Sequence, residues 1–168
     1  MGKEAFVAQK NSPLSLEGKI KRLLQYLFYM EKFVFFEHIA DAKFRAFGKT
    51  IEECFENSAL AMNAVECDLK KVGTKQKLAL KIQAENHEEL LHKFLEELLF
   101  QMETGGMLFS KFKVKINAEQ NSLSADCFGE GINKKKHGLK ALIKGVTWNS
   151  FELKNEKKKW IAQVVCDI

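Results

Sequence analysis

Residues 42–53 read AKFRAFGKTIEE and join a strand pattern directly to the start of a helix. Apolar and basic residues alternate up to Gly48, which is typical of a strand with one buried face. Thr50 and Glu53 then form a capping box, in which the Thr50 hydroxyl accepts a hydrogen bond from a backbone N–H and the Glu53 side chain reaches back. The apolar stripe that follows predicts a helix to about Glu66. A strand that leads straight into a capped helix indicates a mixed fold.

The same two patterns continue to the end of the chain. A broad apolar stripe after Asn86 predicts a second helix from Glu88 to about Met102, which the pair Gly105-Gly106 ends. Residues 132–141 are basic and predicted to be irregular. Alternation predicts seven strands, at Phe33–Glu37, Ala42–Phe47, Lys75–Ala84, Phe109–Ile116, Leu123–Phe128, Ile143–Leu153 and Lys159–Val165. We therefore predict an α+β fold, with a largely antiparallel sheet and the two long helices packed on one face.

The length and composition suit one globular domain. The chain has 168 residues, of which 46% are hydrophobic and 29% charged. Residues 1–29 lack the regular patterns, and we interpret them as an N-terminal extension, disordered or forming a short helix over 17–29, ahead of a domain at 30–168. No apolar run is long enough for a membrane-spanning helix, and the extension lacks the features of a secretory leader. We expect a cytoplasmic protein without a membrane association.

The net charge of +5 is unevenly distributed. Residues 1–29 carry 5 Lys or Arg against 2 acids, residues 30–110 carry 10 against 14, and residues 111–168 carry 12 against 6. A basic surface can assist encounter with a polyanion such as a nucleic acid. Lysines on the solvent faces of strands also discourage edge-to-edge pairing, and the sequence favours this second explanation.

Several common catalytic and phosphate-binding motifs are absent from the sequence. It contains no G-x-x-x-x-G-K-[ST] or G-x-G-x-x-G phosphate cradle and no G-x-S-x-G nucleophile motif. His87 and His92 are five residues apart on the second predicted helix, which is not a metal-ligand spacing, and we expect both on a solvated surface. The four cysteines have no C-x-x-C spacing and are predicted to be reduced and buried, at Cys54, Cys67, Cys127 and Cys166.

Two acidic positions are harder to explain as ordinary surface residues. Asp41 lies in a predicted loop between two apolar strands, where it either bonds its own backbone or serves a site. Asp167 and Ile168 follow a strand at the end of the sequence, so a terminal carboxylate would lie beside the Asp167 carboxylate. Such neighbours repel unless a cation, a lysine or a proton lies between them. Oxygen-only ligands would favour a hard metal ion.

Five segments together resemble the archease family. Their order and spacing match the family along residues 31–168, although each motif is short. The segments are Phe36–Glu53, Leu95–Phe100, Phe128–Glu130, Val146–Trp148, and Trp160 with Val164–Ile168.

The resemblance implies an accessory protein rather than an enzyme. Its expected partner is the catalytic subunit of the GTP-dependent tRNA-splicing RNA ligase, and its association with tRNA would be indirect. The expected activity is to promote guanylylation of the ligase's active-site histidine, to allow multiple turnover, and to broaden nucleotide use. The resemblance also implies a calcium ion, or another hard divalent cation, held by Asp41, Asp167 and Ile168.

The sequence departs from the family pattern at three positions. Ile39 stands where a Thr is usual, Asn149 where a His is usual, and Asn133 where an acid is usual, whereas His137 is retained. Two other functions remain open. One is a chaperone-like or modifying protein-binding module with a structural metal site. The other is a small metal-dependent hydrolase that uses Asp41 and Asp167, for which no general base is visible.

Overall fold

The computed structural model describes Ile20, residues 32–36 and residues 41–168. The rest of the predicted extension, and residues 37–40 with the end of the first predicted strand, lie outside the described residues. Within the described residues, the seven predicted strands and both long helices are present. The elements are β1 Phe33–Phe36, β2 Asp41–Gly48, α1 Ile51–Glu66, β3 Gln76–Gln83, α2 His87–Gly105, β4 Met107–Asn117, β5 Ser122–Gly131, α3 Lys134–His137, β6 Gly145–Glu156 and β7 Lys159–Asp167.

The strands form two antiparallel sheets. The first sheet has the order β1-β2-β7-β6, and the second has the order β3-β5-β4. Helix α1 contacts β2 and β7 of the first sheet and β4 of the second, while α2 contacts β6 and all three strands of the second sheet. The α+β class with antiparallel strands is confirmed. The division into two sheets is new, because an alternating pattern reports which face of a strand is buried but not which strand it pairs with.

Both helices begin with the same hydrogen-bond pattern. The Thr50 hydroxyl accepts from the Glu53 N–H at 3.2 Å, and the Glu53 carboxylate accepts from the Lys49 N–H. At α2, Asn86 accepts from the Glu89 N–H at 2.9 Å, and Glu89 accepts from the preceding backbone at Glu85. Each cap satisfies backbone donors that a helix start leaves free, which typically stabilises a helix by about 1 kcal/mol. The predicted end of α2 is also confirmed, since Gly106 adopts a left-handed φ of 59°.

The core lies between the two helices and the inner faces of the sheets. Its largest fully buried side chains include Phe44, Phe55, Phe94 and Phe109. All four cysteines are buried and free, as predicted, and burial raises the pKa of each thiol to about 12. Thiols with such a raised pKa are weak nucleophiles and poor metal ligands, so their role is packing.

The hairpin of β4 and β5 contains a bulge. One extra residue of β4 lies between Phe109 and Lys111, and Phe109 pairs with Gly129. A Cβ atom added at Gly129 would lie 1.9 Å from the Leu108 carbonyl oxygen, so only glycine fits this position. The bulge lets Phe109 and Phe112 both enter the core while Lys111 faces solvent.

The solvated surface predicted for both histidines of α2 was wrong. His92 is 4% exposed, because α2 turns it toward β6, and His87 is half-buried. Residues 132–141 are not wholly irregular, since they include the short helix α3, which the Asn133 side chain caps. No helix in the described part of the chain is long and apolar enough to cross a membrane.

Candidate functional site

The antiparallel pairing of β2 with β7 brings the predicted acidic residues together. Asp41 pairs directly with Asp167, and Asp167 pairs with Gly145 on its other side. Residues directly opposite each other project to the same face of a sheet, with Cβ atoms roughly 5 Å apart. Asp41 was predicted in a loop, but it is the first residue of β2, because the ladder to β7 extends as far as Asp167. Like charges in such a pair are unfavourable unless a cation lies nearby.

Lys144 lies at the same end of the sheet. Its backbone N–H donates to the Asp167 carbonyl at 2.8 Å, and its Nζ donates to the Ile168 main-chain oxygen at 3.1 Å. A protein cation therefore contacts Ile168, and a lysine is one of the three ways predicted for relieving repulsion there. No pattern in the sequence indicated Lys144, since its position depends on how the loop before β6 approaches β7.

The donor set at this end of the sheet is made of oxygen atoms. It consists of the Asp41 and Asp167 carboxylates and the main-chain oxygen of Ile168. The chemistry of this set suits a hard divalent cation, although it leaves most of the six to eight ligands of Ca²⁺ to water or to a partner. In residues 32–36 and 41–168, no group of three or more His, Cys, Asp or Glu side chains is arranged to hold a metal.

An exposed aromatic residue lies on β6, a few residues from the acidic pair. Trp148 is 56% exposed, and its ring stacks on the buried His92 ring, with centroids 4.0 Å apart and an angle of 5°. His92 is held in turn by the Val146 carbonyl at 3.1 Å and the Glu96 carboxylate at 3.3 Å. Trp148 thus presents a fixed aromatic surface at the edge of the first sheet.

A second polar cluster is centred on Glu130, at the end of β5. Glu130 is 7% exposed and contacts Lys75, Lys136 and His137, and it accepts from the Gly73 N–H at 2.7 Å. The hydrogen bond to Lys136, then those to Gly73 and His137, hold the pKa of this carboxyl far below its usual range. Other residues of the chain thus balance the charge of Glu130, and its contacts connect the loop before β3 with α3.

Asn133 and His137 complete this cluster. The His137 Nδ1 accepts from the Asn133 backbone N–H at 2.9 Å, so the Nε2 of the neutral ring carries the proton and donates to Glu130 at 3.1 Å. The Asn133 side chain accepts from the backbone N–H groups of Lys135 and Lys136. Asparagine caps a helix as well as aspartate does, which explains why this departure from the family pattern is tolerated. Asn149, the second departure, is exposed on β6, and Ile39 lies outside the described residues.

Known proteins are similar to this chain along nearly all of the residues that the structure describes. The model of the archease protein family matches residues 33–168. The chain belongs to the archease family. Among curated relatives, the archease of Sulfurisphaera tokodaii is 37% identical over 139 residues, which cover 83% of this chain and 100% of the relative. The archease of Methanosarcina mazei is 39% identical over 141 residues, which cover 82% and 97% of the two chains.

Solved structures show the same architecture. The solution structure of Methanobacterium thermoautotrophicum protein 1598 superposes with a TM-score of 0.74 at 38% identity and covers 83% of this chain and 100% of its own. A crystal structure from Thermotoga maritima, described as an archease and possible chaperone, has a TM-score of 0.53 at 17% identity, covering 79% and 94%. The second likeness concerns the fold alone. The resemblance inferred from the sequence motifs is confirmed.

Proposed function

We propose that this protein activates the GTP-dependent tRNA-splicing RNA ligase, promoting guanylylation of the ligase and its multiple turnover and broadening its nucleotide use. Membership of the archease family supports this proposal. The observation that carries it is the direct pairing of Asp41 with Asp167 beside the end of β7. This pairing gives the surface an acidic, oxygen-rich point suited to cation-dependent contact with a partner rather than to catalysis. We place this activity in the cytoplasm.

In this proposal Asp41, Asp167 and a main-chain oxygen of Ile168 hold Ca²⁺ or a similar divalent ion. The bound ion would offset the repulsion among these oxygen groups and offer open coordination positions to the ligase. The Lys144 Nζ donates to the Ile168 oxygen, where it would compete with a bound ion, and its backbone N–H donates to the Asp167 carbonyl. The backbone hydrogen bond fixes the end of β7 relative to the loop before β6.

We further assign the ligase contact to the β6 edge of the first sheet, which Trp148 borders from the helix side and the acidic pair from the outer face. Exposed tryptophans with a fixed orientation are frequent anchors of protein interfaces. The acidic pair and Glu96 near Trp148 would complement a basic surface on the ligase. Replacing Trp148 by alanine should weaken ligase binding without unfolding the protein, because the ring is mostly exposed.

The test is RNA ligation by the purified ligase with substrate in large excess, with and without this protein. We expect more than one turnover per ligase molecule only when the protein is present. The protein alone should neither ligate RNA nor hydrolyse GTP. GTP turnover by ligase-free material would overturn the activator proposal, and an unstimulated ligase would favour the chaperone-like alternative.

A further inference from the structure

The outer face of the second sheet is rich in lysine. Five lysines project from the two outer strands, and the register places them in rows across β5. Lys77 and Lys111 lie on either side of Phe128, and Lys81 and Lys115 lie on either side of Ser124. The fifth, Lys113, lies opposite Asp126. We call these five residues the lysine face, and all five are exposed.

The lysine face is strongly unbalanced in charge. Asp126 is the one acidic residue that the register places among these rows, and it pairs with Lys77 at 3.3 Å. Ser124, which lies between Lys81 and Lys115, is small, and these residues line a shallow depression at this end of the sheet. The two outer strands are roughly 9.6 Å apart, which separates the two lysine columns by about the width of an extended chain.

The explanation favoured by the sequence, protection of sheet edges, accounts for only part of this arrangement. Edge protection needs only a few charged side chains, among which lysine is frequent, so this role does not by itself require five cations against one carboxylate. The outer face of the first sheet is mixed instead, with Asp41, Lys43 and Arg45 in succession on β2. The concentration of positive charge on this exposed face therefore favours the binding of a negatively charged ligand.

We propose that the lysine face binds the phosphate backbone of RNA. Lysines along both sides of a depression can follow a backbone without reading its sequence. Phe128 is half-buried with the Lys111 Nζ over its ring, 5.7 Å from the centroid, so an unpaired base could stack there if it displaced this ammonium group. The choice of RNA among polyanions rests on the proposed function. The consequence is that tRNA is contacted directly by the second sheet, while the acidic end of the first sheet faces the ligase.

The test uses the full chain without the ligase. Binding of a fluorescent RNA with the form of an anticodon stem–loop is measured by anisotropy at several salt concentrations. The double variant Lys81→Gln/Lys115→Gln should lower affinity on the order of tenfold or more at low salt and reduce the salt slope by about 2. The matched control, Lys157→Gln/Lys158→Gln, removes the same charge from the turn between β6 and β7 on the first sheet. The control should retain most of the affinity, and both variants should melt as the wild type does.

The outcomes separate this inference from the proposed function. Equal losses in the two double variants would assign RNA binding to net charge and overturn the lysine face as a site. Absence of measurable RNA binding by the wild type at low salt would overturn it as well. Because the assay contains no ligase, failure of ligase stimulation by the wild type would overturn the proposed function alone. If the lysine face binds RNA and the protein activates the ligase, the variant Lys81→Gln/Lys115→Gln should still stimulate guanylylation of the ligase in the absence of RNA.

Discussion

Two carboxylate sites in this protein contrast in how their charge is balanced. Glu130 is enclosed by Lys75, Lys136 and His137 and accepts a backbone hydrogen bond, so the chain itself supplies the balancing charge. At the end of the first sheet, Asp41 and Asp167 lie directly opposite each other, and the nearby Lys144 contacts Ile168. The internal partners of Glu130 indicate a role in the fold, whereas we propose that the opposed carboxylates at the sheet end also hold a cation from outside. The contrast predicts opposite effects of mutation at the two sites.

The largest expected effect is loss of activity at the acidic pair. Asp41→Asn removes one proposed ligand and one member of the like-charge pair. Calcium affinity and ligase stimulation should fall by more than tenfold, while the melting temperature stays at or above that of the wild type. Calorimetric calcium titration and multiple-turnover ligation measure both effects. The control Glu119→Gln removes an exposed carboxylate from the turn between β4 and β5 and should change neither. Unchanged calcium affinity in Asp41→Asn would show that the ion is held elsewhere.

The next effect is on stability, at Glu130. Glu130→Gln should lower the melting temperature by several degrees at pH 7, because three cationic or polar partners lose their carboxylate. The pKa of Glu130 is lowered in the folded state, so its stabilisation is present above the unfolded pKa near 4.5 and declines as the pH falls below that value. The difference between wild type and variant should therefore shrink in acid, in melting curves measured from pH 7 down to pH 3. A difference that stays constant over this range would mean that ionisation of Glu130 is not what stabilises the cluster.

A smaller change is expected at Lys144. Its ammonium group contacts the same Ile168 oxygen that would bind calcium, so the two cations compete. Lys144→Gln should tighten calcium binding a few-fold at low ionic strength, and the gain should diminish at high salt. Lys157→Gln, which removes a charge from the distant β6–β7 turn, is the matched control. Weaker binding in Lys144→Gln would instead make the lysine a positioning residue for the end of β7.

The smallest effect is expected from removal of residues 1–29. The family model begins at residue 33, and the regular strand and helix patterns begin after Met30. The truncated protein should melt within a few degrees of the full chain and should stimulate the ligase equally. Thermal unfolding and the ligation assay measure both. A collapse of the fold would show that the apolar residues of the extension belong to the core.

Local sequence patterns predicted the helices and strands. They did not predict which strands pair or which residues distant in sequence come into contact. The capping residues Thr50 and Asn86 were recognisable because each acts within four positions of the chain. The burial of His92 was missed because it depends on stacking against Trp148, which a different part of the sequence provides. The resemblance to archeases implied that Asp41 and Asp167 belong to one site, and the register of β2 with β7 brings them together. Lys144 could not be foreseen, since nothing near it in sequence indicates the strand end that it contacts.

Gly129 has a consequence for how this protein folds. Since only glycine fits opposite Phe109, the strands β4 and β5 can pair without a steric clash at this position only in the observed register. A slip of one residue would turn every side chain of a strand to the other side, sending Lys111, Lys113 and Lys115 toward the helices. Such a misaligned hairpin would also carry Glu130 away from Gly73. Gly129 thus disfavours a misaligned hairpin in which the charged side chains of the second sheet would be misplaced.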